Sequence, residues 1–242
     1  MIETEHQGQG NELNAGSKRY QKSCKTFWEN AKQAPSDRRY NLTISEERKF
    51  VWFRVAKVGT RSTLRLFENA GVEFTAREAF KCCYPPAFYR DYFKFAFVRN
   101  SWDRFVSGWK DKVLRKKKIF GLDPGQLARM RQFEHFVDYC AALDLDRCNV
   151  HFRRQSSLID LNHVDYVGRF EHFERDLQEV ARILNLGDRD IPRLNASKNK
   201  KPYQEYYDDR TREMIGEMYR KDIQIFGYAF EPPIEGFSGN GR

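Results

Sequence analysis

The sequence predicts a single α/β domain in three layers, a central parallel sheet with helices on both faces. Three observations carry that expectation. Short β-prone runs alternate with amphipathic helical patterns through the middle of the chain. One run, Phe93-Lys94-Phe95-Ala96-Phe97-Val98, is nearly all apolar, as a strand covered on both faces must be. Two strand ends pass directly into helix starts.

Of 242 residues, 40% are hydrophobic and 15% aromatic, enough to bury one sizeable core. Residues 1–25 are rich in Gln, Gly, Asn and Lys and read as a flexible lead-in, and residues 232–242, from Pro232-Pro233 on, read as a flexible tail. No internal repeat or low-complexity block interrupts residues 40–231, which read as one domain.

In chain order, Phe50-Val51-Trp52-Phe53-Arg54-Val55 is a β-prone run ending in a turn with Gly59, and Leu64, Phe67 and Ala70 follow at helical spacing. Phe93–Val98 is the expected central strand. After it, Trp102, Phe105, Val106, Trp109 and Val113 form one helical stripe, with Asn100 or Ser101 available as N-cap, while Arg104, Ser107 and Asp111 fall away from the stripe. Phe133, Phe136, Val137 and Cys140 predict a helix, Val164-Asp165-Tyr166-Val167 a strand, and Leu177, Val180, Ala181 and Leu184 another helix.

Forty-three Lys and Arg against 34 Asp and Glu leave a net charge of +9, which favours anionic partners without choosing among nucleic acid, glycan, acidic lipid and nucleotide. The run Arg115-Lys116-Lys117-Lys118 reads as a solvated helix end, with guidance of an anionic acceptor as its functional alternative. Five cysteines without a CxxC or histidines at zinc spacing exclude a disulfide framework or structural metal. No stretch approaches the roughly 20 apolar residues that span a bilayer, and the start of the chain lacks a signal-peptide pattern, so a soluble, cytoplasmic protein is expected. Truncation of an anchored parent is the alternative.

The chemistry concentrates in two segments. Lys57-Val58-Gly59-Thr60-Arg61-Ser62-Thr63 offers a lysine, a glycine that lets backbone approach a phosphate, and a hydroxyl-rich helix start. Phe97-Val98-Arg99-Asn100-Ser101-Trp102-Asp103-Arg104-Phe105-Val106-Ser107 puts Arg99 at a strand's carboxyl end and Ser107 about two helical turns on. Two helix starts of this kind suggest a ligand with two separate phosphates. The first loop is P-loop-like without being a nucleoside-triphosphate loop, because its lysine precedes the glycine instead of following a second one; with no Asp-rich magnesium motif, kinase chemistry is disfavoured.

These segments resemble the sulfotransferases that use 3′-phosphoadenosine-5′-phosphosulfate, most closely the carbohydrate branch of the chondroitin 4-O, HNK-1 and heparan 2-O type. The resemblance extends through His151-Phe152-Arg153-Arg154-Gln155, Tyr166-Val167-Gly168-Arg169-Phe170-Glu171, Leu194-Asn195-Ala196-Ser197-Lys198 and the stretch Tyr203 to Tyr228. It implies that Lys57, Val58, Gly59, Thr60, Arg61, Ser62 and Thr63 hold the 5′-phosphosulfate, that Arg99 and Ser107 hold the 3′-phosphate, and that Arg169 and Lys198 also contact donor or acceptor. Two departures are Ala56, where the family usually has proline, and Arg61, where it usually has a small hydroxyl residue.

The implied reaction is in-line transfer of a sulfuryl group to a hydroxyl-bearing acceptor, a saccharide or glycolipid, with no metal and no nucleic acid, and with Lys57 stabilising the departing phosphate oxygen. The catalytic base has two candidates, Glu78 and then His151, against ordinary structural roles for both. Trp102 and Trp109 read as core, whereas Tyr203, Tyr206 and Tyr207 read as local packing of the last helix, with an exposed cluster for stacking on adenine or sugar as the functional alternative. Residues 76–92 and 115–130 are expected to line the acceptor cleft. The alternative function is a non-catalytic binding module for an anionic polymer or nucleotide.

Overall fold

The computed structural model describes residues 39–115, 122–187, 190 and 201–231. The segments expected as a lead-in and a tail, Lys116–Lys118 of the basic run, and the segment Leu194–Lys198 lie outside the described residues. Five strands form one sheet: β1 Tyr40–Ser45, β2 Phe50–Phe53, β3 Ala76–Cys82, β4 Phe93–Val98 and β5 Tyr166–Arg169, in the order β3-β1-β2-β4-β5.

Strands β2, β4 and β5 are parallel, as their apolar runs and intervening helices require. The other two were not read from the sequence, and they make the sheet mixed. A four-residue turn, Glu46-Glu47-Arg48-Lys49, joins β1 to β2, too short for anything but an antiparallel hairpin, and β3 then pairs antiparallel with β1. Strand β1 is buried along its whole length although it alternates Asn41, Thr43 and Ser45 with apolar residues. Its polar residues bond inward: Thr43 donates to the Arg77 carbonyl and Ser45 to the Glu73 carbonyl, both at 2.6 Å. Alternation that usually marks a solvated face here marks a hydrogen-bonded one, which is why period alone misses this strand.

Helices pack around the sheet: α1 Thr60–Asn69, α2 Ser101–Trp109 with a π-helical extension Lys110–Arg115, α3 Pro124–Arg129, α4 Phe133–Ala141, α5 Phe173–Ile183, α6 Asp209–Met218 and α7 Arg220–Phe226. Phe50, Trp52, Phe67, Phe95 and Phe97 anchor one core around the sheet, with Trp52 and Phe95 stacked at 5.8 Å. A second core gathers the predicted stripe of α2, from Trp102 to Val113, against Phe133, Phe136, Ile215 and Tyr219.

The tyrosine cluster belongs to that second core. Tyr207 donates to the Trp102 carbonyl at 2.9 Å, Tyr203 bonds the Phe230 carbonyl, and Tyr206 lies 6.1 Å from Trp109. Of the two readings of these tyrosines, local packing holds and the exposed stacking platform does not, because the chain after residue 201 folds back over the apolar stripe of α2.

Candidate active site

The carboxyl ends of β2, β4 and β5 emerge at one edge of the sheet, the edge at which open α/β sheets bind ligands. A cleft of about 620 Å³ opens there, within the usual range for a small-molecule site. Lys57, Gly59, Thr60, Arg61, Ser62, Glu78, Arg99, Ser107 and His151 all line it.

The loop after β2 is shaped by backbone conformation. Lys57 has φ 76° and Gly59 φ 85°, so the chain doubles back before α1. A left-handed lysine is strained, and strain of this kind marks functional turns. Gly59 is required twice over, by its φ and because a Cβ there would lie 2.5 Å from the Phe173 ring. It occupies the N-cap of α1 with no side-chain hydrogen bond, so the first turn presents N–H groups and the positive dipole end to the cleft. The remaining residues divide by burial. Arg61 is exposed, Thr60 donates to the Val55 carbonyl at 3.3 Å, and Val58 is wholly buried. Thr63 sends both its backbone N–H and its hydroxyl to the Gly59 carbonyl, at 3.1 and 3.4 Å. Val58 and Thr63 thus have side chains in the protein interior, away from the cleft for which the resemblance enlisted them.

Lys57 reaches across to Asp111 in the π-helical turn, Nζ to Oδ2 at 3.1 Å, and Asp111 also takes Arg115. Burial lowers the lysine's pKa and the Asp111 carboxylate partly restores it. Asp111 was visible in the sequence only as a residue off the apolar stripe; Arg104, Ser107 and Asp111 share the opposite face of the helix, where Ser107 and Asp111 line the cleft and Arg104 is buried.

Arg104 is 1% exposed and donates to three carbonyls, those of Ala56 at 3.0 Å, Arg153 at 2.9 Å and Val150 at 2.9 Å. One guanidinium thereby ties the Lys57 loop to the turn carrying His151. Its signal in the sequence was a charged residue inside an otherwise buried helix.

The loop after β4 is built from side chains. Gln155 donates to the Arg99 carbonyl at 2.8 Å and accepts from the Arg99 N–H at 2.9 Å, continuing the strand's pairing with an amide. Asp222, wholly buried, accepts from the N–H groups of Gln155 and Ser156 at 2.6 and 2.9 Å. Glu171 accepts from the Asn100 N–H at 2.7 Å, and the Asn100 side chain accepts from the Trp102 N–H at 3.1 Å, capping α2. Asn100 is thus the N-cap of α2, one of the two residues expected there, and this helix start is side-chain capped where that of α1 is not.

The Arg99 guanidinium lies on the Phe170 ring at 4.3 Å, binds Asp103 through two N–H groups at 2.8 and 2.7 Å, and donates to the Lys57 carbonyl at 3.0 Å. Three of its five N–H groups are used, leaving two for a ligand. Ser107, half-buried, presents its hydroxyl to the same cleft.

His151 sits in a turn with Nδ1 2.8 Å from the Asn149 Oδ1. A carbonyl oxygen only accepts, so Nδ1 carries the hydrogen and Nε2 keeps the lone pair. Burial, reinforced by Lys112, Lys57 and Arg104, pushes its pKa down to about 3, so the imidazole is neutral at physiological pH. Glu78 is held between Arg54 at 3.1 Å and Arg77 at 2.8 Å.

Arg169 does not line the cleft; it bonds the Phe226 carbonyl and lies over Tyr228 at 4.8 Å, joining β5 to the end of α7. Lys198 lies outside the described residues. Among the described residues no cluster of three or more His, Cys, Asp or Glu side chains is placed to hold a metal ion, and no helix is long and apolar enough to cross a membrane.

Comparison with curated proteins and with solved structures returns no match. The model of the sulfotransferase family matches residues 40–229, from the first residue of β1 to beyond α7; this span covers most of the chain and includes each cleft residue named above, and the chain belongs to that family.

Proposed function

We propose that the protein transfers the sulfuryl group of 3′-phosphoadenosine-5′-phosphosulfate to a hydroxyl of a saccharide-type acceptor. The observation that carries this reading is the meeting of Lys57, Arg99 and Ser107 in one cleft whose floor is the open N-terminus of α1. The two phosphate-bearing ends of such a donor differ in what they need, and the cleft offers two different receptors. The bent Lys57 loop, with backbone N–H groups and the exposed Arg61, suits the 5′-phosphosulfate. Arg99 with two spare donors, beside the Ser107 hydroxyl, suits the 3′-phosphate.

In the transfer the acceptor oxygen bonds to sulfur as the bond from sulfur to the bridging phosphate oxygen breaks, and the hydroxyl proton leaves to a base. Lys57 is the cation for the charge that develops on the departing oxygen, and must exchange its bond to Asp111 for that role. Of the two base candidates His151 keeps an open Nε2 lone pair; burial and the cations Lys112, Lys57 and Arg104 hold its pKa low, so its basicity rises for the step only as the anionic donor offsets those cations, while Glu78 is a carboxylate fixed as an anion between two arginines. Glu78 then serves as a hydrogen-bond acceptor that orients the incoming hydroxyl compound.

Calorimetric titration with 3′-phosphoadenosine-5′-phosphate, beside adenosine monophosphate and an Arg99→Ala variant, tests the donor assignment. Micromolar binding that requires both the 3′-phosphate and Arg99 is expected. Equal binding of the two nucleotides, or none in a folded protein, would sink the reading and leave an anion-binding module.

A further inference from the structure

We infer that the acceptor is an uncharged ring compound, a neutral pyranoside in its simplest form, stacked on Phe80 at the rim of the cleft. This rests on the donor assignment above and adds the class of the second substrate.

Phe80 is 59% exposed, an unusual state for a phenylalanine, and it lines the cleft instead of a remote surface. The Arg54 guanidinium lies 4.8 Å from the ring centroid, and Arg54 is itself buried and tied to the strand, donating to Glu78 Oε1 and to the Ala79 carbonyl, both at 3.1 Å. Glu78 and Phe80 are two apart on β3, and both line the cleft. The result is a flat apolar surface with a carboxylate acceptor beside it. That pairing suits a sugar ring, whose C–H face lies on an aromatic and whose hydroxyls donate to a carboxylate.

Charge excludes the other broad class of acceptor. The described cleft residues include five cations, Arg54, Lys57, Arg61, Arg99 and Arg115, and two carboxylates, Glu78 and Asp111. The donor brings roughly four negative charges at neutral pH. Together with the two carboxylates that charge outweighs the five cations, and an acceptor carrying its own carboxylates or sulfates would meet like charge at the point of attack. A neutral ring meets none.

The test uses the full chain saturated with 3′-phosphoadenosine-5′-phosphate, probed by saturation-transfer NMR with methyl glycosides of neutral hexoses and N-acetylhexosamines and with uronic-acid-containing oligosaccharides of the same size. Transfer to the neutral glycosides, lost in Phe80→Ala and retained in Phe80→Trp, with nucleotide affinity within twofold of the parent protein, is the expected result. Preference for the anionic probes, equal signals in Phe80→Ala, or no transfer to any neutral glycoside in a protein that binds the nucleotide would overturn it. Loss of nucleotide binding by the parent protein would strike the donor assignment instead.

Discussion

The loop after β2 and the loop after β4 leave the sheet at the same edge and face the same cleft, yet they hold their shape by different means. The Lys57 loop takes its shape from its own backbone, through two left-handed residues and an uncapped helix start, and is held in place from outside by the Phe173 ring and by Arg104 and Arg99 on the Ala56 and Lys57 carbonyls. The Arg99 loop is determined from a distance, by Gln155, Glu171 and Asp222, which lie between 56 and 71 residues away from the backbone groups they bind. A backbone cradle can adapt to a transferring group and release it. A side-chain fork braced by buried amides holds a fixed anion in one place. The difference matches a donor with one end that reacts and one that only anchors.

Substitutions should separate the two. Lys57→Ala ought to have the largest effect on chemistry, a fall in kcat of about 10²–10³-fold, since removing one donor from a preorganised charge-stabilising site costs that much. Nucleotide affinity, measured by calorimetry on the same variant, should change far less; an equal loss in both would erase the distinction between reacting and anchoring ends.

Gln155→Ala attacks the distant bracing. It strands the buried N–H and carbonyl of Arg99, each at a cost of about 1–3 kcal/mol, so urea unfolding should show a loss of several kcal/mol. In the folded fraction the preference for the 3′-phosphorylated nucleotide should drop. A variant of full stability would show that the Arg99 loop needs no clamp.

Gly59→Ala attacks the local shape, with an expected loss of about 1–3 kcal/mol from a strained φ and the contact with Phe173. Adding Phe173→Leu should recover the steric share and leave the backbone share. Full recovery would mean that space, and not conformation, selects glycine there.

At neutral pH the smallest effect is that of His151, which lies on the turn that Arg104 joins to the Lys57 loop and whose contribution changes only as the pH falls. Its folded pKa of about 3 lies below the ordinary value near 6.5, so the unfolded chain takes up the proton first as pH falls. Stability from this group is therefore intact above about pH 6.5 and declines toward pH 3, by no more than about 1.4 kcal/mol per pH unit. His151→Gln should flatten that part of the curve in denaturant titrations across pH 4–7; an unchanged slope would mean that the ring is not held neutral by burial.

Much of this was legible in the chain itself. The three parallel strands, the helices that follow them and the apolar stripe of α2 are written in local periodicity, and periodicity is a backbone property that needs no partner to be read. Lys57, Gly59, Arg99 and Ser107 stood out because strand ends and helix starts constrain which residues can meet an anion. What the sequence could not convey was partnership. Strand β1 hides its polar residues by bonding them inward, the tyrosines after residue 201 pack over the stripe of α2, and Glu171 takes the Asn100 N–H from 71 residues away. Arg104, Gln155 and Asp222 carry ordinary polar side chains whose importance comes from buried carbonyls and N–H groups far along the chain. Local pattern decides which elements form, because it sets backbone conformation and the face to be buried; the tertiary fold decides which polar groups are left in low dielectric, and only there does satisfying them cost enough to shape a site.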